Sequence, residues 1–200
     1  MQHRPVFFFA LVLALAAGCT DAPDADGEAP DTLTTATPEP NTPLGVDGED
    51  EVSEAAAVLN PTAGNSVNGQ VVFTPLARGV RVLAQVNGLP EGTHGFHIHE
   101  TGDCSASDAS SAGGHYNPTG APHGAPDAAE RHVGDLGNIV ANADSTGGYD
   151  QVDSVISLDG PDSIVGKAVV IHAGEDDFTS QPSGDAGNRL ACGVIEANED

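Results

Sequence analysis

Short alternating segments, each followed by turn residues, are the feature that most limits how this chain can fold. In residues 80–86 every second residue is Val or Ala, and Asn87 and Gly88, which follow, are typical of a turn. Further strand candidates are residues 70–74, 151–158, 167–172 and 190–196. No segment has sustained helical periodicity, and 25 Gly, 14 Pro and 4% aromatic residues also argue against a helical bundle. The sequence therefore predicts an all-β fold, an antiparallel sandwich or barrel.

The charge balance excludes two classes of partner. The chain has 30 Asp and Glu but only 6 Lys and Arg, which gives a formal net charge of -24. Such a chain has no basic face that could neutralise phosphates, so we expect no nucleic acid as a partner. Attraction to anionic lipid headgroups is excluded for the same reason, and we expect membrane contact only through a lipid anchor.

Residues 1–18 are predicted to be an export signal of the lipoprotein type. Arg4 precedes an apolar stretch at residues 6–17, which is shorter than the roughly 20 residues that span a bilayer but typical of a signal peptide. Small residues precede Cys19, and this pattern resembles a bacterial lipoprotein signal in which that cysteine becomes the acylated N-terminus. A signal peptide cut near Ala17 is the alternative. We expect an exported protein on the periplasmic face of a bacterial membrane.

Residues 19–56 are predicted to be a disordered tether. The segment has many Asp and Glu among Pro, Thr and Ala, and it contains no Lys or Arg. It cannot bury enough apolar surface to offset the loss of chain entropy on folding. Residues 57–200 are then the folded domain.

One part of the domain lacks the short strand candidates that occur elsewhere in it. Residues 101–134 contain no apolar run, and a loop of this length is usually either functional or disordered. Cys104, His115, His123 and His132 lie in it, and such side chains can fix a loop through a disulfide or a metal. We therefore expect a functional loop.

A His-x-His pair lies just before this loop. The period of two places His97 and His99 on one face of a strand and Phe96 and Ile98 on the other. Two imidazoles on one face can converge on a single metal ion. His94 shares the opposite face, and we interpret it as a hydrogen-bonded structural residue.

Further candidate ligands follow in the sequence. Three nitrogens and one oxygen, a set that suits a closed tetrahedral zinc site, come from His115, His123, His132 and Asp135. His172 ends a predicted strand and is placed to add an imidazole to the face of His97 and His99. Seven candidate ligands exceed what one ion needs, so two ions, or one ion and unrelated histidines, are both consistent with the pattern.

Four segments resemble the signatures of copper/zinc superoxide dismutase and occur in the order of that family. They are Gly-Phe-His-Ile-His-Glu at 95–100, His-Tyr-Asn-Pro at 115–118, Arg-His-Val-Gly-Asp-Leu-Gly-Asn at 131–138 and Gly-Asn-Arg-Leu-Ala-Cys-Gly at 187–193. The resemblance covers nearly all of residues 57–196. It implies an eight-stranded Greek-key β-sandwich or barrel of immunoglobulin-like architecture, with long metal-binding and electrostatic loops.

The resemblance also implies the metal ligands. Copper is expected on His97, His99, His115 and His172, and zinc on His115, His123, His132 and Asp135. His115 would be shared as an imidazolate, which explains how seven side chains serve two four-ligand sites. Asp176 matches the carboxylate that links His97 and His123 from behind the ligands.

The implied activity is the conversion of two superoxide ions to dioxygen and hydrogen peroxide. Copper would alternate between Cu(II) and Cu(I), zinc would be structural, and His115 would deliver a proton. Arg189 matches the cation that draws in the anionic substrate. If Cys19 carries lipid, Cys104 and Cys192 remain to pair as a disulfide in an oxidising compartment.

Two alternatives to an active enzyme and one question of assembly remain open. A dismutase-like lipoprotein that binds copper and zinc without catalysis has no missing ligand to support it, and a purely adhesive domain leaves the ligand pattern unexplained. The motifs at 115–118 and 131–137 are nearer to the eukaryotic than to the bacterial form of the family. Because the two forms pair through different surfaces, both a homodimer and a monomer are consistent with the sequence.

Overall fold

The structure is a computed structural model that describes residues 51–198. The predicted signal peptide at residues 1–18, Cys19 and the tether up to residue 50 lie outside the described residues. The first strand begins at Ala55, within the last residues assigned to the tether. Within residues 51–198 no helix has the length and apolar character needed to cross a membrane.

Eight antiparallel strands form a closed barrel. They are β1 (Ala55–Pro61), β2 (Asn68–Pro75), β3 (Val80–Asn87), β4 (Gly92–His99), β5 (Asp135–Ala141), β6 (Thr146–Asp153), β7 (Ala168–His172) and β8 (Arg189–Ala197). The order around the barrel is β1-β2-β3-β6-β5-β4-β7-β8. Because β3 pairs with β6, and β4 lies between β5 and β7, two connections cross the ends of the barrel in the Greek-key manner. The predicted all-β, eight-stranded architecture is confirmed.

Alternation along the strands fills the barrel interior. In β3 the residues at every second position are buried, while Arg81, Gln85 and Asn87 face solvent. The largest fully buried apolar side chains include Phe73, Phe96, Leu59, Ile98, Leu136, Ile139, Ile171 and Ile195. Each such side chain contributes about 1.5–3 kcal/mol by leaving water. Because the barrel is closed, its strands leave no unpaired edge.

The sixth strand differs from the sequence prediction. The apolar residues at 151–158 predicted a strand there, whereas β6 runs from Thr146 to Asp153. The Asp153 carboxylate accepts hydrogen bonds from the main-chain N–H groups of Val155 (2.7 Å) and Ile156 (3.2 Å). These contacts turn the chain away from the sheet, so Ile156 is buried as part of a turn.

Two long connections supply five of the 12 buried polar or charged residues within residues 51–198, and these are His115, His123, Arg131, His132 and Asp176. The first, residues 100–134 between β4 and β5, is called here the long loop, and it includes a short 3-10 helix at Ser110–Ala112. The second, residues 173–188 between β7 and β8, is called the second loop. A disulfide between Cys104 and Cys192, with 5.8 Å between the Cα atoms, joins the long loop to β8 and agrees with the predicted pairing.

Candidate metal centre

The end of β4 places the His-x-His pair. His97 and His99 pair with Val170 and Ala168 of β7, and a β-bulge between Gly95 and His97 interrupts the pairing with β5. Both histidine rings are fully buried. His94 makes other contacts: its ring nitrogens lie 3.0 Å from the carbonyl oxygen of His172 and 2.8 Å from that of Pro90.

The long loop returns to β4 at His115. An isolated antiparallel bridge joins His115 to His99, and the N–H of Tyr116 donates to the carbonyl of Ile98 at 2.8 Å. The long loop therefore continues the sheet for two residues beside β4. This pairing places the His115 ring next to that of His97, with 4.1 Å between the ring centroids.

The structure brings the seven predicted ligands into two groups of four. In the first group the ligand atoms of His97, His99, His115 and His172 all lie within 4.8 Å of one another. The Nε2 atoms of His99 and His172 are 3.3 Å apart. All four rings are buried, and the group contains no carboxylate.

The second group shares His115 with the first. Its members, with ligand atoms also within 4.8 Å of one another, are His115, His123, His132 and Asp135. Asp135 Oδ1 lies 2.8 Å from His115 Nδ1, 3.0 Å from His123 Nδ1 and 3.1 Å from His132 Nδ1. Asp135 Oδ2 accepts the main-chain N–H groups of His132 (2.9 Å) and Gly124 (3.1 Å).

Unpartnered buried nitrogens show that both groups fit metal ions. Within residues 51–198, four buried side-chain polar atoms have no hydrogen-bond partner, and three of them are His97 Nδ1, His115 Nε2 and His123 Nδ1. Such atoms are costly to bury unless something binds them. Ligands at about 2.0–2.1 Å from a tetrahedral zinc lie roughly 3.3 Å apart. The 2.8–3.1 Å separations around Asp135 Oδ1 are close to that value.

Asp176 joins the two groups from behind the ligands. Its fully buried carboxylate lies 2.8 Å from His97 Nε2 through Oδ2 and 2.9 Å from His123 Nε2 through Oδ1. The contacts leave Nδ1 of each ring free for a metal and fix the orientation of both rings. Gly184 lies against this bridge, where an added Cβ would collide with Asp176 Oδ1.

The main chain of Asp176 is held by β5. The Asn138 side chain donates to the carbonyl of Asp176 at 2.9 Å and accepts its N–H at 2.8 Å. Asn138 is the last residue of the motif at 131–138, but the motif did not indicate its contact with Asp176. The two contacts anchor the second loop to the barrel beside the ligands.

A buried ion pair supports the turn that carries His132 and Asp135. Arg131 donates to the carbonyls of His132 (3.1 Å), Val133 (3.3 Å) and Asp135 (3.1 Å), and to the carboxylate of Asp153 at 2.6 Å. Both charged side chains are almost completely buried. Neither residue has a role that could be predicted from the sequence. They are 22 positions apart and become neighbours only when β5 and β6 pair.

Burial controls the protonation of the ligand side chains. It lowers the pKa values of His97 and His99 well below their usual range, with further lowering by the neighbouring His115 and His172. Burial also lowers the pKa of His172 to about 4. For Asp135, burial alone would raise the pKa, but hydrogen bonding from His115 and the adjacent histidines lower it to about 2. Neutral imidazoles and an ionised carboxylate are the forms that bind metals.

A cavity of about 350 Å³ opens onto the first group. Its lining includes the rings of His99, His115, His132 and His172. Arg189 is the one side chain of this lining that carries a full charge. Its guanidinium donates to the carbonyls of Ala109 and Gly113, which hold it in the lining of the cavity. Burial lowers the pKa of Arg189, an effect that Asp108 opposes.

The barrel carries two four-residue groups that could each hold a metal ion. His115 is shared between the histidine-only group and the group with one carboxylate. Residues 67–195 match the family model described as copper/zinc superoxide dismutase. The chain therefore belongs to the copper/zinc superoxide dismutase family, as its motifs predicted.

A solved structure of similar fold supports this assignment. It is described as the crystal structure of the clock protein EA4, and it is 42% identical in sequence with a TM-score of 0.70. The match covers 76% of this chain and 98% of that protein. The expected bacterial lipoprotein form of the family stays a prediction, because Cys19 lies outside the described residues.

Proposed function

We propose that this chain is an exported superoxide dismutase that holds copper on His97, His99, His115 and His172 and zinc on His115, His123, His132 and Asp135. The observation that carries the proposal is the position of His115. Its Nδ1 lies 2.8 Å from Asp135 Oδ1 in the second group, while its buried Nε2 has no hydrogen-bond partner. A deprotonated His115 would therefore offer one nitrogen to each metal.

The ligand chemistry favours this distribution of metals. Four imidazoles suit copper in both of its oxidation states, whereas three imidazoles and a carboxylate suit a closed zinc site. The cavity beside Arg189 reaches His99, His115 and His172 of the first group, so a small anion could approach there. In the second group His123 and Asp135 are enclosed, as expected for a structural ion.

The side chains supply binding and proton transfer for the overall reaction of two superoxide ions and two protons to dioxygen and hydrogen peroxide. Copper, when bound, would supply the electron chemistry by alternating between Cu(II) and Cu(I). Arg189, in the lining of the cavity, attracts and orients the anion. His115 Nε2 is the atom at which a proton can be held and then passed to the reduced product.

Export and anchoring are part of the same proposal. The apolar stretch at residues 6–17 and the small residues before Cys19 support export and lipid attachment on the periplasmic face. Cys19→Ala in the full chain should move the protein from the membrane fraction to the soluble fraction. Retention in the membrane fraction would contradict the lipid anchor.

The alternative is a copper- and zinc-binding protein that does not turn over superoxide. The support for this alternative is the similarity to a protein described as a clock protein, a description that names no dismutase activity. The two functions separate in one experiment, in which the full chain is loaded with zinc alone or with both metals. One copper and one zinc per chain, with superoxide decay faster than the spontaneous rate only when copper is present, supports the dismutase. The same metal content with decay at the spontaneous rate supports the alternative.

A further inference from the structure

The main chain at His123 is held differently from those of His115 and Asp135. His115 is fixed by its bridge to His99, and Asp135 begins β5. His123 lies in the middle of the long loop, and none of the hydrogen bonds between main-chain groups within residues 51–198 involves it. Buried main-chain groups need hydrogen-bond partners, so side chains must bind the N–H and the carbonyl of His123.

The side chain of Gln181 supplies both partners. The N–H of His123 donates to Gln181 Oε1 at 2.9 Å, and Gln181 Nε2 donates to the carbonyl of His123 at 2.9 Å. A carboxamide carries an acceptor and a donor side by side, so it matches both groups of one residue. Exchanging its oxygen and nitrogen would oppose donor to donor and acceptor to acceptor, so the two contacts fix its orientation.

Gln181 lies in a compact part of the second loop. Hydrogen bonds from Asp177 N–H to the Gly184 carbonyl (3.0 Å) and from Gly184 N–H to the Ser180 carbonyl (2.7 Å) close residues 177–184 on themselves. The second loop thus holds His123 at two points: Asp176 binds the ring, and Gln181 binds the main chain.

We propose that Gln181 is a positioning residue that fixes His123 for zinc and slows the loss of the ion. The inference rests on the proposed zinc site. With Nε2 held by Asp176 and the main chain held by Gln181, the ring already points Nδ1 at the other ligands before zinc arrives. Such preorganisation removes an ordering cost from binding, and His123 can leave the ion only after these contacts break.

The test measures zinc dissociation from the zinc-loaded full chain with an excess of chelator. Gln181→Met keeps the side-chain length and removes the donor and the acceptor, so zinc should dissociate roughly tenfold faster. Gln181→Glu keeps the acceptor for the His123 N–H but places a second acceptor against the His123 carbonyl, so zinc should also dissociate faster than from the unchanged chain. Gln85→Met, at an exposed glutamine of β3, is the matched control and should behave as the unchanged protein.

A spectroscopic measurement separates positioning from general stability. Co²⁺ in place of zinc has visible absorption bands that depend on ligand geometry, and these should change in Gln181→Met and stay the same in Gln85→Met. Equal dissociation rates and equal Co²⁺ spectra in Gln181→Met and the unchanged chain would overturn the inference. An unchanged chain that takes up no zinc would overturn the proposed site and the inference together.

Discussion

The two ligand groups differ in how the fold holds them. The first is built largely from strands: β4 carries His97 and His99, and β7 ends at His172. The second is built largely from loops, and polar contacts from Arg131, Asp176 and Gln181 hold it in place. Strand pairing thus fixes the first group, the candidate catalytic site, which opens to a cavity. A hydrogen-bond network fixes the second group, the candidate structural site.

The charges of the two groups follow the same division. The first group consists of buried imidazoles, and burial lowers the pKa of each of its strand-borne rings. The second contains Asp135, whose pKa of about 2 leaves it ionised at neutral pH. Imidazole ligands suit copper, whereas the second group adds a fixed carboxylate to its imidazoles and suits a zinc ion of constant 2+ charge.

The largest expected effect comes from a substitution of His172, which belongs to the first group and not to the second. His172→Ala removes one nitrogen from the first group and no ligand from the second. Loss of a hydrogen-bond partner behind a metal ligand typically lowers activity by about 10–100-fold. Loss of the ligand His172 itself should lower the rate of catalysed superoxide decay by more than that. Zinc content, measured by mass spectrometry, should stay at one per chain. Retained activity would show that the first group is not the catalytic site.

The next change acts on the second group alone. Asp135→Asn keeps the shape of the side chain but removes its charge, so zinc affinity should fall by roughly 100-fold or more. Copper uptake, followed by electron paramagnetic resonance, should persist. Asp150→Asn, on the exposed face of β6, is the control and should bind both metals normally. Full zinc occupancy of Asp135→Asn under competition would contradict the ligand assignment.

A smaller effect should reach both groups at once. Asp176→Asn cannot accept a hydrogen bond from both His97 and His123, so one of the two rings loses its fixed orientation. The affinities of copper and zinc should each fall by about 10–100-fold. Competition titrations with each metal measure the change. An effect confined to one metal would show that Asp176 does not couple the groups.

The smallest effect concerns substrate approach and leaves both metals in place. The chain has a net charge of -24, so attraction of superoxide depends on the local cation at the cavity. Arg189→Ala should slow superoxide decay by roughly tenfold at low ionic strength and reduce its salt dependence. Arg78→Ala makes the same charge change at an exposed residue outside the cavity lining and should have little effect. Equal salt dependence in the two variants would exclude steering by Arg189.

The strand-built parts were largely predictable from the sequence. The period of two in β3 predicted its buried face, and the His-x-His pair predicted two rings converging at the end of β4. β5 was not predicted, because its buried positions do not alternate: Asp135, Leu136 and Gly137 are all buried where the long loop covers the strand. The start of β6 was not predicted either, because the glycines at 147 and 148 give no alternation of apolar residues there.

The supports of the loop-built site could not be predicted from local sequence. The family motifs pointed to His123, His132 and Asp135, and the matching position pointed to Asp176. Nothing in the neighbourhood of Gln181 signals contact with a residue 58 positions away. The same holds for Arg131 and Asp153, whose ion pair depends on the pairing of β5 with β6. Such contacts depend on the folded arrangement of the loops, which has no periodicity in the sequence.

Product stoichiometry over many turnovers tests the central claim most directly. The full chain loaded with one copper and one zinc is mixed with a large excess of superoxide, and dioxygen and hydrogen peroxide are measured together. An enzyme that uses the first group as proposed yields one dioxygen and one hydrogen peroxide for every two superoxide ions, much faster than the spontaneous reaction and at a rate proportional to the concentration of the copper-loaded chain. A rate equal to that of the protein-free control, or an acceleration that ends after one superoxide per copper, would contradict the account.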